Sequence, residues 1–324
     1  MEVASNDGYL LRNFVARGIR ALGVDPARGP AAAAAAVGVP TVVGFFGPEV
    51  ARGIVAEHGH ADVVIANNVM AHVPDLDDFV AGLSELLAPG GVLTIENPYV
   101  RSMIEQVEFD TIYHEHYCYF STSAVDALMR RHGLYVNHVE HFAELHGGTN
   151  RWHIGRTLDR SDSCRRHLER EQSDGLTTVG YYQDFAGAAH ACQKALRVLV
   201  EGLVADGATV AAYGAAAKGA TLLNSAGIGA DLVSYVVDRN VHKQGRFMPG
   251  CLLEILPPEA LIERKPDFVV LLAWNFAAEI MAQQREYTRG GGRFIVPVPM
   301  PRIAGEGASP EPGGPAGDPG TDPA

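Results

Sequence analysis

The sequence predicts an α/β protein made of two successive strand–helix halves. Three observations carry that reading. Strand-like and helix-like runs alternate from residue 2 to residue 96. The strand-like runs are almost continuously apolar rather than alternating, as in ADVVIA at 61–66. The alternation stops in a long helical stretch and resumes near residue 208. Near-continuous apolar strands separated by helices mean a parallel sheet covered on both faces. A length of 324 residues suits about two domains at roughly 150 residues each.

Each element has a local cause. Residues 2–4 (Glu-Val-Ala) are a short strand, ended by the small polar turn Ser5, Asn6, Asp7, Gly8. Residues 9–17 read as a helix with Leu10, Leu11 and Phe14 on one face. A strand at 21–24 stops at Asp25 and Pro26. An alanine-rich helix at 30–37, a strand at 41–43, a helix at 47–58 and the strand 61–66 follow. The helix at 77–87 is stopped by Ala-Pro-Gly-Gly at 88–91, before a strand at 92–96. Residues 99–120 are irregular, polar and aromatic, and 122–132 form a helix. Runs at 134–142 and 150–155, split by His146, Gly147 and Gly148, predict an antiparallel pair. Residues 157–175 are charged, a linker or exposed helix, and a long helix covers 178–205. The second half has strands at 208–213, 232–237, 268–272 and 294–298, with a turn at 214–219 and a helix at 220–226. The expected organisation is a first domain at 1–157, a helical linker at 158–205, a second α/β domain at 206–303 and a tail at 304–324. Gly and Pro make up 11 of the 21 tail residues, so the tail is expected to be disordered.

Composition excludes several classes. Hydrophobic residues are 47% and charged residues 20%, an ordinary globular mix. The net charge of −12 argues against nonspecific binding of nucleic acid or anionic membranes. No apolar run approaches the roughly 20 residues of a membrane span. The N-terminus has neither the basic nor the apolar segment of a secretion signal, so a cytoplasmic location is expected. Cys118, Cys164, Cys192 and Cys251 lie far apart with no Cys-x-x-Cys pair, against a zinc ribbon or disulfide scaffold.

Ligands on parallel sheets bind at the carboxyl ends of the strands, near the point where strand order reverses. The first such end is the turn from Ser5 to Gly8, after Glu2. A strand, a small polar turn and a helix are the layout of nucleotide and S-adenosylmethionine sites, although an ordinary connection fits as well. It is neither GxGxxG nor a P-loop. Asp25, ending the second strand, can accept both ribose hydroxyls or cap a helix. Asn67 and Asn68, after ADVVIA, fall beside the same edge, with His72 as a catalytic or lining residue. The most unusual string is YHEHYCYF at 113–120. Tyr113, Glu115 and His116 there could supply a phenol, an orienting acid and a base. On a helix Tyr113 and His116 would share a face. His114 and His116 alone do not make a metal site, since no third ligand is placed. In the second half, YGAAAKG opens a helix after a strand and DRNVHKQGR is a basic loop. Small residues and cations there suit a diphosphate, or a solvated loop.

Together EVASNDGYLL, GVDPA, ANNVMAHVPDLDDF, EFDTIYHEHYCYFS, YGAAAKGATLLN, VVDRNVHKQGRFMPG and LLAWNF resemble the S-adenosylmethionine-dependent C-methyltransferases of nucleotide-linked deoxysugars, enzymes of antibiotic-sugar biosynthesis. The resemblance runs in order over residues 2–300. It implies a Rossmann-like class I methyltransferase domain followed by a second, smaller α/β domain. It implies Glu2, Ser5, Asn6, Asp7 and Gly8 near the cofactor, Asp25 on its ribose, and Asn67 and Asn68 lining the site. The chemistry implied is methyl transfer to C3 of a nucleotide-linked 4-keto-2,6-dideoxy sugar through an enolate. His116 would be the base, Tyr113 the partner of the enolate oxygen, Glu115 an orienting group and His72 an assistant. Lys218, Lys243 and Arg246 are the candidate phosphate ligands on physical grounds.

Two departures from the family stand out. Its members carry an N-terminal zinc-binding cysteine module that this sequence lacks, so no zinc is expected. Met1 also falls inside the first strand, which reads either as a reading frame that begins upstream or as a truncated remnant. The rivals are therefore a catalytically impaired sugar-nucleotide-binding remnant and an NAD-dependent nucleotide-sugar enzyme. The second has neither GxGxxG nor a Tyr-xxx-Lys pair at 108–124.

Overall fold

The computed structural model describes residues 1–145 and 147–304. The chain divides into two compact units, the first Met1–Ala191 and the second beginning at Cys192. The first holds a seven-stranded sheet: β1 (Glu2–Val3), β2 (Gly23–Asp25), β3 (Thr41–Val43), β4 (Ala61–Asn67), β5 (Leu87–Pro98), β6 (Tyr135–Phe142) and β7 (Thr149–Gly155). Its order is β3-β2-β1-β4-β5-β7-β6. β1 to β5 run parallel, whereas β7 is antiparallel to both β5 and β6. The order reverses between β1 and β4, which puts the ligand edge at the carboxyl ends of those strands.

The apolar strands account for the core. Val3, Val24, Val64, Leu93 and Ile95 are buried, with helix residues Phe79, Leu83 and Leu86 packed into the same cluster. The helix Leu76–Leu86 starts where Asp75 accepts the Asp78 N–H at 3.0 Å, a side-chain N-cap. The expected stop at 88–91 does not interrupt the sheet. β5 runs extended from Leu87 through these residues, with a register shift opposite Ala61 and Val63. Gly91 permits this, because a Cβ there would lie 3.0 Å from the carbonyl oxygens of Ala61 and Asp62.

The second unit repeats the plan. β8 (Val210–Tyr213), β9 (Val236–Val237), β10 (Ile255–Leu256), β11 (Phe268–Leu271), β12 (Arg293–Val296) and β13 (Arg302–Ala304) lie in the order β10-β9-β8-β11-β12-β13. All pairs are parallel except β12 with β13. The sequence pattern misses β10 and β13, which are two and three residues long and too short for periodicity. The tail boundary moves accordingly: Ala304 is buried as the end of β13. The expected disorder of 305–324 lies outside the described residues.

The stretch expected as a linker, 158–205, is not a separate connector. Its first helix, Asp162–Ser173, belongs to the first unit and buries Cys164 and Glu171 there. The division falls inside the helix Phe185–Ala205. Among the described residues, no helix is long and apolar enough to cross a membrane.

Candidate active site

The turn after β1 is built from unusual backbone. Ala4 (φ 59°), Asn6 (φ 53°) and Gly8 (φ 75°) are all left-handed, which costs an L-residue about 1–2 kcal/mol. Such strain gathers where a site imposes it. Asp25 holds the turn in place. Its Oδ2 accepts the Asn6 N–H at 2.9 Å and its Oδ1 accepts the Ala27 N–H at 2.8 Å. Both oxygens keep further acceptor capacity. Gly8 packs under the turn, where a Cβ would come within 3.1 Å of Val39 and 3.2 Å of Ala34. Gly23 leaves room for Ser5, whose Oγ a Cβ there would strike.

The carboxyl edge of this sheet is rich in unmatched polarity. Glu2 Oε2, Ser5 Oγ, Asn67 Oδ1 and both amide atoms of Asn97 are buried without a hydrogen-bond partner among the described residues. Each such group costs about 1–3 kcal/mol when left alone, so the edge is shaped for a polar guest. Burial pushes the Glu2 carboxyl up to about 7, partly offset by the Met1 ammonium. Burial also raises the pKa of the Tyr9 phenol, and the charges of Glu2, Glu96 and Asp7 add to the shift. Asp7 is exposed. Asn68, left-handed at φ 52°, gives its N–H to the Glu96 carbonyl at 2.7 Å.

The aromatic string closes over this unit as a turn, not a helix. His116 N–H bonds the Tyr113 carbonyl at 3.0 Å, and this turn, rather than helical spacing, brings the two rings together. Their centroids are 4.3 Å apart, and that of His72 is 4.8 Å from His116. The Tyr117 N–H bonds the Ala71 carbonyl at 2.8 Å, which ties the string to the His72 segment. Glu115 orients His72, but through its backbone: the Glu115 carbonyl accepts from His72 Nδ1 at 3.0 Å. The carbonyl can only accept, so His72 Nδ1 carries a proton. The Glu115 side chain is exposed. Burial, then the neighbouring His72, lowers the His116 pKa against smaller opposing effects of the Thr111 backbone and Glu115. Burial, Glu115 and Asp110 raise that of Tyr113. Both shifts favour the uncharged forms, an imidazole able to act as a base next to a phenol able to donate a hydrogen bond.

In the second unit the strand order reverses between β8 and β11, and a cavity of about 320 Å³ opens there. Its wall includes Tyr213, Gly214, Asp238, Arg239, Phe276 and Gln283. Asp238 Oδ2 accepts the Ala215 N–H at 2.7 Å and Oδ1 the Asn240 N–H at 2.7 Å. The predicted cations stand around this edge unequally. Lys218 lies 4.2 Å from the Trp274 ring centroid and bonds Asn275. Lys243 donates to the Ala215 carbonyl at 2.7 Å and sits 3.7 Å from Asp238. Arg246 is exposed, and its carbonyl accepts the Ile255 N–H at 2.8 Å. The cation that lines the cavity is Arg239. A larger cavity, about 1010 Å³, opens in the first unit beside Leu22, Thr41 and Asp62. It lies at the amino ends of the strands and no candidate residue lines it, so volume alone does not mark the site.

Sequence reasoning gave no role to Tyr9, and it left Asn97 as one of the strand ends and Asp238 and Arg239 as part of the basic loop without naming them as ligands. Asn97 had a signal, a polar residue ending an apolar strand. Asp238 had one too, since it directly follows β9 much as Asp25 ends β2.

The first unit's order, with its antiparallel β7-β6 ending, defines a Rossmann-like methyltransferase sheet. Comparison with known proteins agrees. Residues 1–139 match a family described as "Methyltransferase domain", and residues 144–299 one described as "C-methyltransferase C-terminal domain". The C-methyltransferase NovU of Streptomyces niveus is 39% identical over 306 residues, covering 94% of this chain and 73% of that protein. The chain belongs to this family of S-adenosylmethionine-dependent C-methyltransferases, which removes the NAD-dependent alternative. Solved structures also overlap it at low similarity. The S-adenosylmethionine-dependent methyltransferase of Mesorhizobium loti is 13% identical, covering 47% of this chain and 88% of that one, with a TM-score of 0.38. Magnesium protoporphyrin IX methyltransferase of Synechocystis PCC 6803 is 11% identical, covering 48% and 68%, with a TM-score of 0.36.

Proposed function

We propose that the chain methylates a sugar carbon, C3, of a nucleotide-linked 4-keto-2,6-dideoxy sugar through an enolate. The observation that carries this reading is the His116 imidazole packed beside Tyr113, ring centroids 4.3 Å apart, where burial lowers its pKa and favours the neutral base. A carbon acceptor is not nucleophilic until a proton is removed, and a ketone acidifies the neighbouring C–H. His116 takes that proton. Tyr113, kept protonated, donates a hydrogen bond to the developing enolate oxygen. His72, bonded to the Glu115 carbonyl, packs edge-on against the His116 ring at 4.8 Å.

The strand edge of the first unit fits S-adenosylmethionine, which supplies an electrophilic methyl group when bound. Asp25 has acceptor capacity for two ribose hydroxyls. Glu2, with an unmatched buried oxygen, suits the cationic end of the cofactor. Ser5, Asn6, Asp7 and Gly8 form the turn beneath it, and Asn67 and Asn68 line it. In the second unit, Asp238 suits a sugar hydroxyl of the nucleotide, with Lys218, Lys243 and Arg239 as its cations and Arg246 farther out.

The test needs the full chain and a nucleotide-linked 4-keto-2,6-dideoxy sugar. Without cofactor, solvent deuterium should enter at C3. With S-adenosylmethionine, the product should gain one methyl group at that carbon. Exchange at another carbon relocates the chemistry. Nucleotide binding with neither exchange nor methylation would leave a binding remnant.

A further inference from the structure

Residues 99–121 leave the sheet after β5 and return at the helix Thr122–Arg131, carrying Tyr113, Glu115 and His116 on the way. The two ends of this excursion meet. Tyr99 and Phe120 form an isolated parallel bridge, and the Val100 N–H bonds the Phe120 carbonyl at 3.0 Å. A single carboxylate from another helix fastens both ends. Glu171 is fully buried in the helix Asp162–Ser173. Its Oε1 accepts the Tyr99 hydroxyl at 2.8 Å and the Thr122 N–H at 2.7 Å, and its Oε2 accepts the Ser123 N–H at 2.7 Å. A second tie runs alongside, from Arg101 to Asp174 at 2.7 Å.

Helix capping alone does not account for this arrangement. The helix Thr122–Arg131 has its own N-cap, Ser121, whose Oγ accepts the Ala124 N–H at 3.1 Å. Two further N–H groups and a favourable helix dipole explain a carboxylate at that end. They do not explain why it also takes the hydroxyl of Tyr99, which lies at the opposite end of the excursion. A buried carboxylate is expensive unless fully bonded, and this one is bonded to both ends of one segment.

We propose that Glu171 is a positioning residue for the catalytic segment, closing residues 99–121 into a fixed loop through Tyr99 at its start and Thr122 and Ser123 at its end. The inference rests on reading His116 and Tyr113 as the reacting pair. The role is mechanical: the loop is held so that the His116 ring stays packed against Tyr113 and His72.

Tyr99→Phe in the full chain is the cleanest test, because it removes only the hydroxyl bond from the start of the loop to Glu171 and leaves both helix N–H bonds intact. Amide hydrogen exchange over 106–121 should quicken roughly three- to tenfold, with exchange over 122–131 unchanged. Affinity for S-adenosylmethionine should hold. The His116 imidazole, followed by NMR and assigned with His116→Gln, should titrate higher, nearer its ordinary range, as the ring loses burial. With the proposed sugar substrate, kcat should fall and KM hold. A folded Tyr99→Phe with parental exchange over 106–121 and unmoved His116 titration overturns the proposal. So does equal acceleration across the whole chain, which would mean general stability only. Glu171→Gln should loosen 106–121 and 122–131 together; acceleration confined to 122–131 would reduce Glu171 to a cap and also overturn it. If His116→Ala keeps turnover, the catalytic reading fails, while exchange in Tyr99→Phe still judges the clamp.

Discussion

Asp25 and Asp238 do the same thing in their separate units. Asp25 is the last residue of β2 and Asp238 directly follows β9, the second strands of their sheets in chain order, and each reaches back to the turn after the first strand. Asp25 takes the Asn6 N–H at 2.9 Å and the Ala27 N–H at 2.8 Å. Asp238 takes the Ala215 N–H and the Asn240 N–H, both at 2.7 Å. Each carboxylate therefore fixes the turn after the first strand of its sheet and keeps further acceptor capacity, which suits the sugar hydroxyl proposed for it.

Asparagine at either position offers one carbonyl oxygen where two N–H groups need acceptors. Asp25→Asn should lose about 1–3 kcal/mol of stability and weaken S-adenosylmethionine binding roughly tenfold or more. Asp238→Asn should leave that affinity alone and weaken the nucleotide sugar instead. Calorimetry with both ligands on both variants checks this. Equal loss of cofactor affinity in the two would sink the assignment of the cofactor to the first unit.

The rate should depend on pH through His116. Only the neutral imidazole can take a proton, and burial favours that form by lowering its pKa. Turnover should therefore rise with pH through a midpoint below the ordinary value of about 6.5 and then level off. His116→Ala should reduce kcat about 10²- to 10⁴-fold, remove this limb and keep cofactor affinity. Near-normal turnover in that variant would show that another group is the base.

Glu2 gives a stability signature of opposite sense to most carboxylates. Its pKa is raised from 4.5 to about 7 in the fold, so the native state binds the extra proton between those values. Stability should fall as pH rises through that window. Thermal unfolding of the chain and of Glu2→Gln across pH 4 to 8 tests it: the variant should show a flatter dependence. Identical slopes would mean that Glu2 titrates normally.

Gly23→Ala should destabilise by about 1–3 kcal/mol, because the new Cβ strikes Ser5 Oγ and comes within 2.8 Å of its Cβ. It should also weaken cofactor binding by displacing the turn. Gly53→Ala is the control: it meets nothing within 4 Å and lies in the middle of the helix Pro48–His58, where alanine should add about 0.5–1 kcal/mol. Denaturant midpoints for the two should move in opposite directions.

Much of the first unit was legible because its causes are local. Apolar runs such as 61–66 mark buried parallel strands, and the small polar turn after Glu2 marks the carboxyl edge. β10 and β13 were hidden because two or three residues show no periodicity; they exist only by pairing with β9 and β12. The YHEHYCYF string announced chemistry without its geometry. The segment was expected to be irregular, and helical spacing was only one way for Tyr113 and His116 to share a face; a turn tied to Ala71 joins them.

The sequence by itself determined the α/β alternation, the two sheets and the residue types at their carboxyl ends, because hydrophobic pattern and turn chemistry act over a few neighbours. Tertiary structure decided what those residues do. It made the Glu115 carbonyl, not its carboxylate, the partner of His72. It set Arg239 rather than Arg246 on the cavity wall. It brought Glu171, 72 positions beyond Tyr99, onto that hydroxyl. Such contacts depend on how separate elements pack, and no local pattern in a chain encodes a distance between residues that only folding brings together.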